Sequence, residues 1–124
     1  MNDSLRSDAH VIFKNGLKAV SPNDCVNRVV SLQGSNLNIS GKNYDLNFIT
    51  RILVIGAGKA TPAMALALEQ ILGDKITDGL ITTKYGHKLP LSSIETVECG
   101  HPVPDEKGVN TTLRLLQKIS NLSS

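Results

Sequence analysis

The stretch ILVIGAGKATPAMALAL, residues 52 to 68, constrains the fold more than any other part of the chain. ILVI is a short apolar run suited to a strand buried on both faces. Gly56 and Gly58 then permit a sharp turn. An apolar helix is expected from Ala60 to Leu72, closed by Gly73. Strand, glycine turn and helix in that order open a parallel α/β unit. The turn nevertheless fits neither common phosphate-loop pattern. The dinucleotide fingerprint G-x-G-x-x-G would start at Gly56 and Gly58, but Thr61 stands at its third glycine. The nucleotide loop G-x-x-x-x-G-K-[ST] would use Gly58 and Lys59, but Leu53 and Ala60 stand where it needs glycine and a hydroxyl.

The flanking sequence extends the pattern. Leu5, Ala9, Ile12, Phe13, Leu17 and Val20 recur at helical spacing, which predicts an amphipathic helix over Ser4 to Val20, with His10 at its surface. SPND, residues 21 to 24, supplies a cap for a second helix running to about Leu32 and stopping at Gly34. NLNISGKNYDL, residues 36 to 46, alternates around Gly41-Lys42 as a small hairpin does. GLITT (79 to 83) and IETVEC (94 to 99) predict two further strands. A last helix begins at an Asp105 cap and carries Val109, Leu113, Leu116 and Ile119 on one stripe. The expected fold is α/β: a Rossmann-like three-layer domain with a parallel sheet, preceded by two helices and a small β-hairpin.

A chain of 124 residues suffices for one domain with a modest core. With 40% hydrophobic and 19% charged residues it is globular in composition rather than disordered. Only 3% of residues are aromatic and no dense basic run exists, which argues against a nucleic-acid partner. Lys59 interrupts the most apolar stretch, so no membrane span is expected. The first residues lack the basic-then-apolar layout of a signal peptide. Cys25 and Cys99 stand outside any C-x-x-C spacing and read as free thiols of a reducing cytoplasm.

Ligands of open parallel sheets gather beyond the carboxyl ends of the strands. Here those ends read GAGK, TKYGHK and CGHPVPDEKG, placing Gly56, Gly58, Lys59, Lys84, His87, His101 and Asp105 along one edge. Lys59 is the informative residue. A cation in the first turn of a helix is disfavoured by the helix dipole, and a bound anion would reverse that sign. The plain alternative is a lysine whose ammonium simply reaches solvent. His87 and Lys84 lie in a loop, where an exposed histidine more often has no role than a catalytic one, and His101, held extended by Pro102, can equally just hydrogen-bond its loop. Cys99, His101 and His87 lack a recognised zinc-ligand spacing, so no metal ligand is assigned. Asp105 reads as a helix cap and Glu98 as a solvated strand residue. A nicotinamide site wants an acid at the end of the second strand, where Thr82, Thr83 and Lys84 stand instead.

VIGAGKA, TTKYGH and GHPVPDEKG, in that order and at these separations, resemble the MOFRL-type glycerate kinase (glycerate 2-kinase) family. The resemblance runs from the first helix to the end of the chain. It implies ATP-dependent phosphorylation of the 2-hydroxyl of D-glycerate, giving 2-phosphoglycerate, with ATP and Mg²⁺ as the cofactors and a cytoplasmic setting. It also implies a catalytic lysine at Lys59. Gly56, Gly58, Lys84, His87 and His101 are then candidate substrate- or nucleotide-binding residues. Some members are labelled hydroxypyruvate reductases, so an oxidoreductase stays open, as does a non-catalytic anion-binding fragment. Family members are longer, with a second α/β domain and an active-site arginine beyond the length of this sequence. Residues 1–124 are therefore expected to be a single domain, the N-terminal part of the larger α/β domain, carrying half a site. Monomer and homodimer both stay open.

Overall fold

The computed structural model describes residues 3–120 and Leu122. Helix α1 spans Asp3–Ala19 and α2 spans Pro22–Val29. Ser21 caps α2 by accepting a hydrogen bond from the Asp24 N–H at 3.5 Å, with Pro22 in the first turn. α1 buries no residue: Ile12 and Phe13 are 72% and 64% exposed.

α2 is shorter than the expected run to Leu32. It ends at Val29, and Val30–Gln33 forms strand β1. Gly34, expected to stop a helix, instead turns β1 into β2 (Asn36–Ile39) at a φ of +59°. The expected hairpin is thus part of a three-stranded antiparallel meander, β1-β2-β3, with β3 at Lys42–Asp45. Val30 pairs with Ile39 and Leu32 with Leu37. Those apolar cross-strand pairs, together with the β-branched Val29-Val30 step, outweigh the weak helical pattern.

β4 (Leu53–Ala57), β5 (Asp78–Lys84) and β6 (Glu95–Cys99) form a parallel sheet in the order β4-β5-β6. Central β5 is buried on both faces, with Leu80 and Ile81 each 0% exposed. α3 (Thr61–Leu72) covers the face carrying Val54 and Ile81, where Ala65 and Leu72 complete the core. Full burial of a leucine or isoleucine there stabilises by about 1.5–3 kcal/mol. α4 (Glu106–Ser120) is tied to the opposite face by ion pairs of Arg114 with Glu95 and Lys118 with Asp78. The chain has the α/β class expected, with helices either side of a parallel sheet.

α4 turns a different stripe inward than its apolar pattern suggests. Gly108, Thr111, Leu115 and Lys118 are its less exposed positions. Val109, Leu113 and Leu116 stay 55%, 59% and 53% exposed. The two ion pairs explain the choice, because the sheet face beneath α4 carries the acids Asp78 and Glu95.

The amino ends of the strands are laced to their surroundings. The Glu69 carboxylate, late in α3, accepts the N–H groups of Ser92, Ser93 and Ile94 at 2.6–3.0 Å. Thr77 donates its N–H to the Ile52 carbonyl at 2.9 Å, and its hydroxyl accepts the Ile52 N–H at 3.0 Å. Gly79 admits no side chain, since a Cβ would lie 2.8 Å from Ile94.

Candidate functional site

The carboxyl ends of the strands are built differently. β4 runs into Gly58, whose φ of +120° is open to glycine alone among common residues. The Gly58 N–H donates to the Thr82 carbonyl at 3.0 Å, and its carbonyl accepts the Thr61 N–H at 3.2 Å. The turn is therefore fastened to β5 on one side and to α3 on the other. Ala60 at the N-cap of α3 offers no side-chain hydrogen bond. The positive end of a helix of 12 residues is thus left without a capping side chain. Lys59 sits immediately before it, exposed.

At the end of β5, Thr82 and Thr83 are buried and Lys84 is half-buried. At the end of β6, the Cys99 thiol donates to the Thr83 carbonyl at 3.6 Å. Gly100 follows where a Cβ would lie 2.5 Å from the Val103 carbonyl oxygen, and His101 continues through a cis bond to Pro102. Gly58, Lys59, Thr82, Thr83, Lys84, Cys99, Gly100 and His101 line one cavity of about 150 Å³. No carboxylate lines it. Neither Lys59 nor Lys84 forms an ion pair among the described residues.

The structure therefore brings Gly58, Lys59, Lys84 and His101 together. Gly56 and His87 do not line that cavity. Gly56 packs against α3, where an added Cβ would meet the Thr61 methyl at 2.6 Å. His87 is exposed, and its backbone N–H donates to Glu98 at 3.0 Å. Glu98 is thereby a loop tether, where the sequence suggested only a solvated strand residue. It accepts the Lys88 N–H at 3.2 Å as well. The Lys88 and His87 N–H groups hold its carboxyl below the usual carboxylate range.

Asp105 caps α4 as expected, accepting the Gly108 N–H at 2.9 Å. It also accepts the Tyr85 hydroxyl at 2.8 Å, which joins the β5 and β6 end loops. Backbone donors at Gly100 and Gly108, then Tyr85, hold the Asp105 carboxyl low. The same bond to Asp105 pushes the Tyr85 phenol up. The nearby acids are thus occupied by N–H and O–H donors, which leaves the lysines at the cavity free of them.

Thr83 is the residue that sequence reasoning passed over. It is 2% exposed, and its hydroxyl has no hydrogen-bond partner among the described residues. Leaving a hydroxyl buried and unpaired costs about 1–3 kcal/mol. The polar pair Thr82-Thr83 closing the apolar GLI run was the available signal.

Among the described residues no group of three or more His, Cys, Asp or Glu is placed to hold a metal ion. No helix among them is long and apolar enough to cross a membrane.

Residues 8–124 match the family described as a domain of unknown function, DUF4147. The chain belongs to this family. This DUF4147 chain is 35% identical over 122 residues to the D-glycerate 2-kinase of Thermotoga maritima, which spans 98% of this chain and 26% of that protein. A glycerate 2-kinase of Pyrococcus horikoshii is 37% identical over 93 residues, 75% of this chain and 20% of that protein. A protein of Agrobacterium vitis bearing a hydroxypyruvate reductase name is 42% identical over 72 residues, 58% of this chain and 19% of its own length. The crystal structure of a Thermotoga maritima glycerate kinase superposes with a TM-score of 0.73 at 32% identity, covering 98% of this chain and 26% of that one. These matches show the resemblance to MOFRL-type glycerate kinases, and the DUF4147 chain spans about a quarter of these kinases' length.

Proposed function

We propose that the chain supplies the phosphoryl-handling side of a glycerate 2-kinase, which transfers a phosphoryl group from ATP to the 2-hydroxyl of D-glycerate and yields 2-phosphoglycerate in the cytoplasm. One observation carries this reading. Lys59 and Lys84 line a cavity at the uncapped start of α3, with no carboxylate on its wall.

Phosphoryl transfer asks little covalent chemistry of a protein. The glycerate oxygen bonds to the γ-phosphorus, the bond from that phosphorus to the ADP oxygen breaks, and the hydroxyl proton departs. Negative charge on the moving group must be held in place throughout. Lys59, fixed by a turn bonded to both β5 and α3, supplies a compact positive charge to those oxygens. The start of α3 adds its dipole. Lys84 faces the same space, and His101 lies on the wall as a proton acceptor for the hydroxyl. Mg²⁺ travels with ATP. The cavity wall would offer it no carboxylate ligand.

In this reading residues 1–124 belong to the larger α/β domain, and the remaining length of the relatives completes the cleft. The 124-residue chain alone should then show no sustained turnover.

The reductase name among the relatives favours a second reading, but the turn is built against it. The dinucleotide fingerprint uses its third glycine for close helix–strand packing. Here Thr61 fills that place with a methyl group packed on Gly56. β5 ends in Lys84 rather than an acid for the ribose.

The test is a chimera in which residues 1–124 replace the matching quarter of the Thermotoga maritima kinase. With ATP, Mg²⁺ and D-glycerate it should release ADP and form 2-phosphoglycerate. NADH and NADPH fluorescence should show no saturable binding. Micromolar nicotinamide binding without ADP release would put the reductase first.

A further inference from the structure

We propose that the cavity beside Lys59 is a seat for one phosphoryl group and that the Thr83 hydroxyl is its buried hydrogen-bond donor. The proposal rests on the kinase reading and says which end of which substrate enters this space.

Size is the first argument. At about 150 Å³ the cavity is half the smallest volume typical of drug-sized ligand sites, roughly 300 Å³. No Phe, Tyr or Trp lines the wall to stack on a base. A phosphoryl group or a three-carbon acid does fit.

Charge separates those two. Lys59, Lys84 and the uncapped start of α3 gather around the space without an acid. A phosphoryl group brings a charge of about −1.5 to −2 and three acceptor oxygens. A carboxylate brings one charge and would leave a lysine uncompensated.

The orphaned hydroxyl is the independent observation. Thr83 lines this cavity, is 2% exposed, and has no partner for Oγ1 among the described residues. A buried donor without a partner lowers stability, and an acceptor-rich ligand in the adjoining space removes the deficit. Thr96 provides an internal control. Its hydroxyl is orphaned too, but it lines a separate cavity with Asp78 and Glu95 at the other end of the sheet.

The test is isothermal titration of the chain with inorganic phosphate and, separately, with D-glycerate, on wild type, Thr83→Val, Thr83→Ser and Thr96→Val. Valine keeps the shape and deletes the orphan, so both valine variants should unfold at or above the wild-type temperature. Thr83→Val should weaken phosphate binding about tenfold, the scale of one hydrogen bond to a charged group. Thr83→Ser should retain phosphate binding, and Thr96→Val should match wild type. Equal phosphate affinity in Thr83→Val, or a lower unfolding temperature showing a structural partner for the hydroxyl, would overturn the proposal. So would Thr83-dependent binding of D-glycerate alone, while leaving the kinase reading intact. Failure of the chimera to release ADP would sink that reading by a separate measurement.

Discussion

The two ends of the parallel sheet treat charge in opposite ways. At the amino ends the acids Asp78 and Glu95 are met by Lys118 and Arg114, and Glu69 is met by three backbone N–H groups. At the carboxyl ends the nearby acids Glu98 and Asp105 are turned to backbone and phenol donors. Lys59 and Lys84 are left beside a cavity, a helix start and an orphaned hydroxyl. The first end is satisfied from within and holds the fold. The second holds cations and a buried donor that the described residues leave unmatched, the condition that the proposed anion site requires.

Changes at the carboxyl end should therefore alter ligand chemistry while sparing stability, and changes at the amino end should do the reverse. The largest effect belongs to Lys59. In the chimera, Lys59→Ala should lower kcat on the order of a hundredfold or more, the scale of one charged contact made in the transition state. Its unfolding temperature should hold, since alanine is the better helix former and removes a cation from the helix start. Wild-type turnover would make Lys59 a solvent-directed lysine, and a collapse of stability would make it structural.

Gly56 sharpens the comparison, because it lies near the carboxyl end yet packs as a core residue. Gly56→Ala forces a Cβ to within 2.6 Å of the Thr61 methyl. Overpacking of this kind costs about 1–3 kcal/mol in urea unfolding. Adding Thr61→Ser, which deletes that methyl, should restore most of the loss. Two variants that simply add would show that the contact is not the cause.

Glu69→Gln weakens the tether at the amino end while keeping its shape. A loss of about 1–2 kcal/mol is expected, since a charge-assisted set of bonds becomes a neutral one. Phosphate affinity should be unchanged, and a fall in it would mean the two ends are coupled.

The smallest effect is that of the exposed Arg114–Glu95 pair, worth about 0–1 kcal/mol in a double-mutant cycle. The pH signature of the two ion pairs at this end is nonetheless definite. Lys118 holds the Asp78 carboxyl below the usual carboxylate range, and Arg114 does the same for Glu95. The stability they contribute is complete above that range and is lost as pH falls through the depressed values. Asp78→Asn should flatten this acid limb, as read from urea midpoints across a pH series. An unaltered limb would place acid sensitivity elsewhere.

Much of the sheet was legible in the sequence because its signals are local. The ILVI run, the Gly58 turn, the Asp105 cap and the two further strands each follow from residues adjacent in the chain. The misread elements depend on partners distant in sequence. Val30–Gln33 is a strand because Ile39 and Leu37 stand opposite it. α4 turns Gly108 and Thr111 inward because Asp78 and Glu95 lie beneath it. Within the candidate site, Lys59 stood out as a cation at a helix start. Gly56 and Gly58 could not be told apart, because one is fixed by a side-chain contact and the other by its own φ. Thr83 was signalled only by the polar Thr82-Thr83 pair that closes an apolar run, since an orphaned hydroxyl is itself a property of packing.

The most direct test of the contrast between the two ends is an amide chemical-shift map of the chain titrated with inorganic phosphate. The account predicts saturable shifts clustered at Gly58, Lys59, Ala60, Thr83, Lys84 and Gly100, with the Asp78, Glu95 and Ser92 amides unmoved. Shifts centred on the amino ends of the strands, or none at millimolar phosphate, would contradict it.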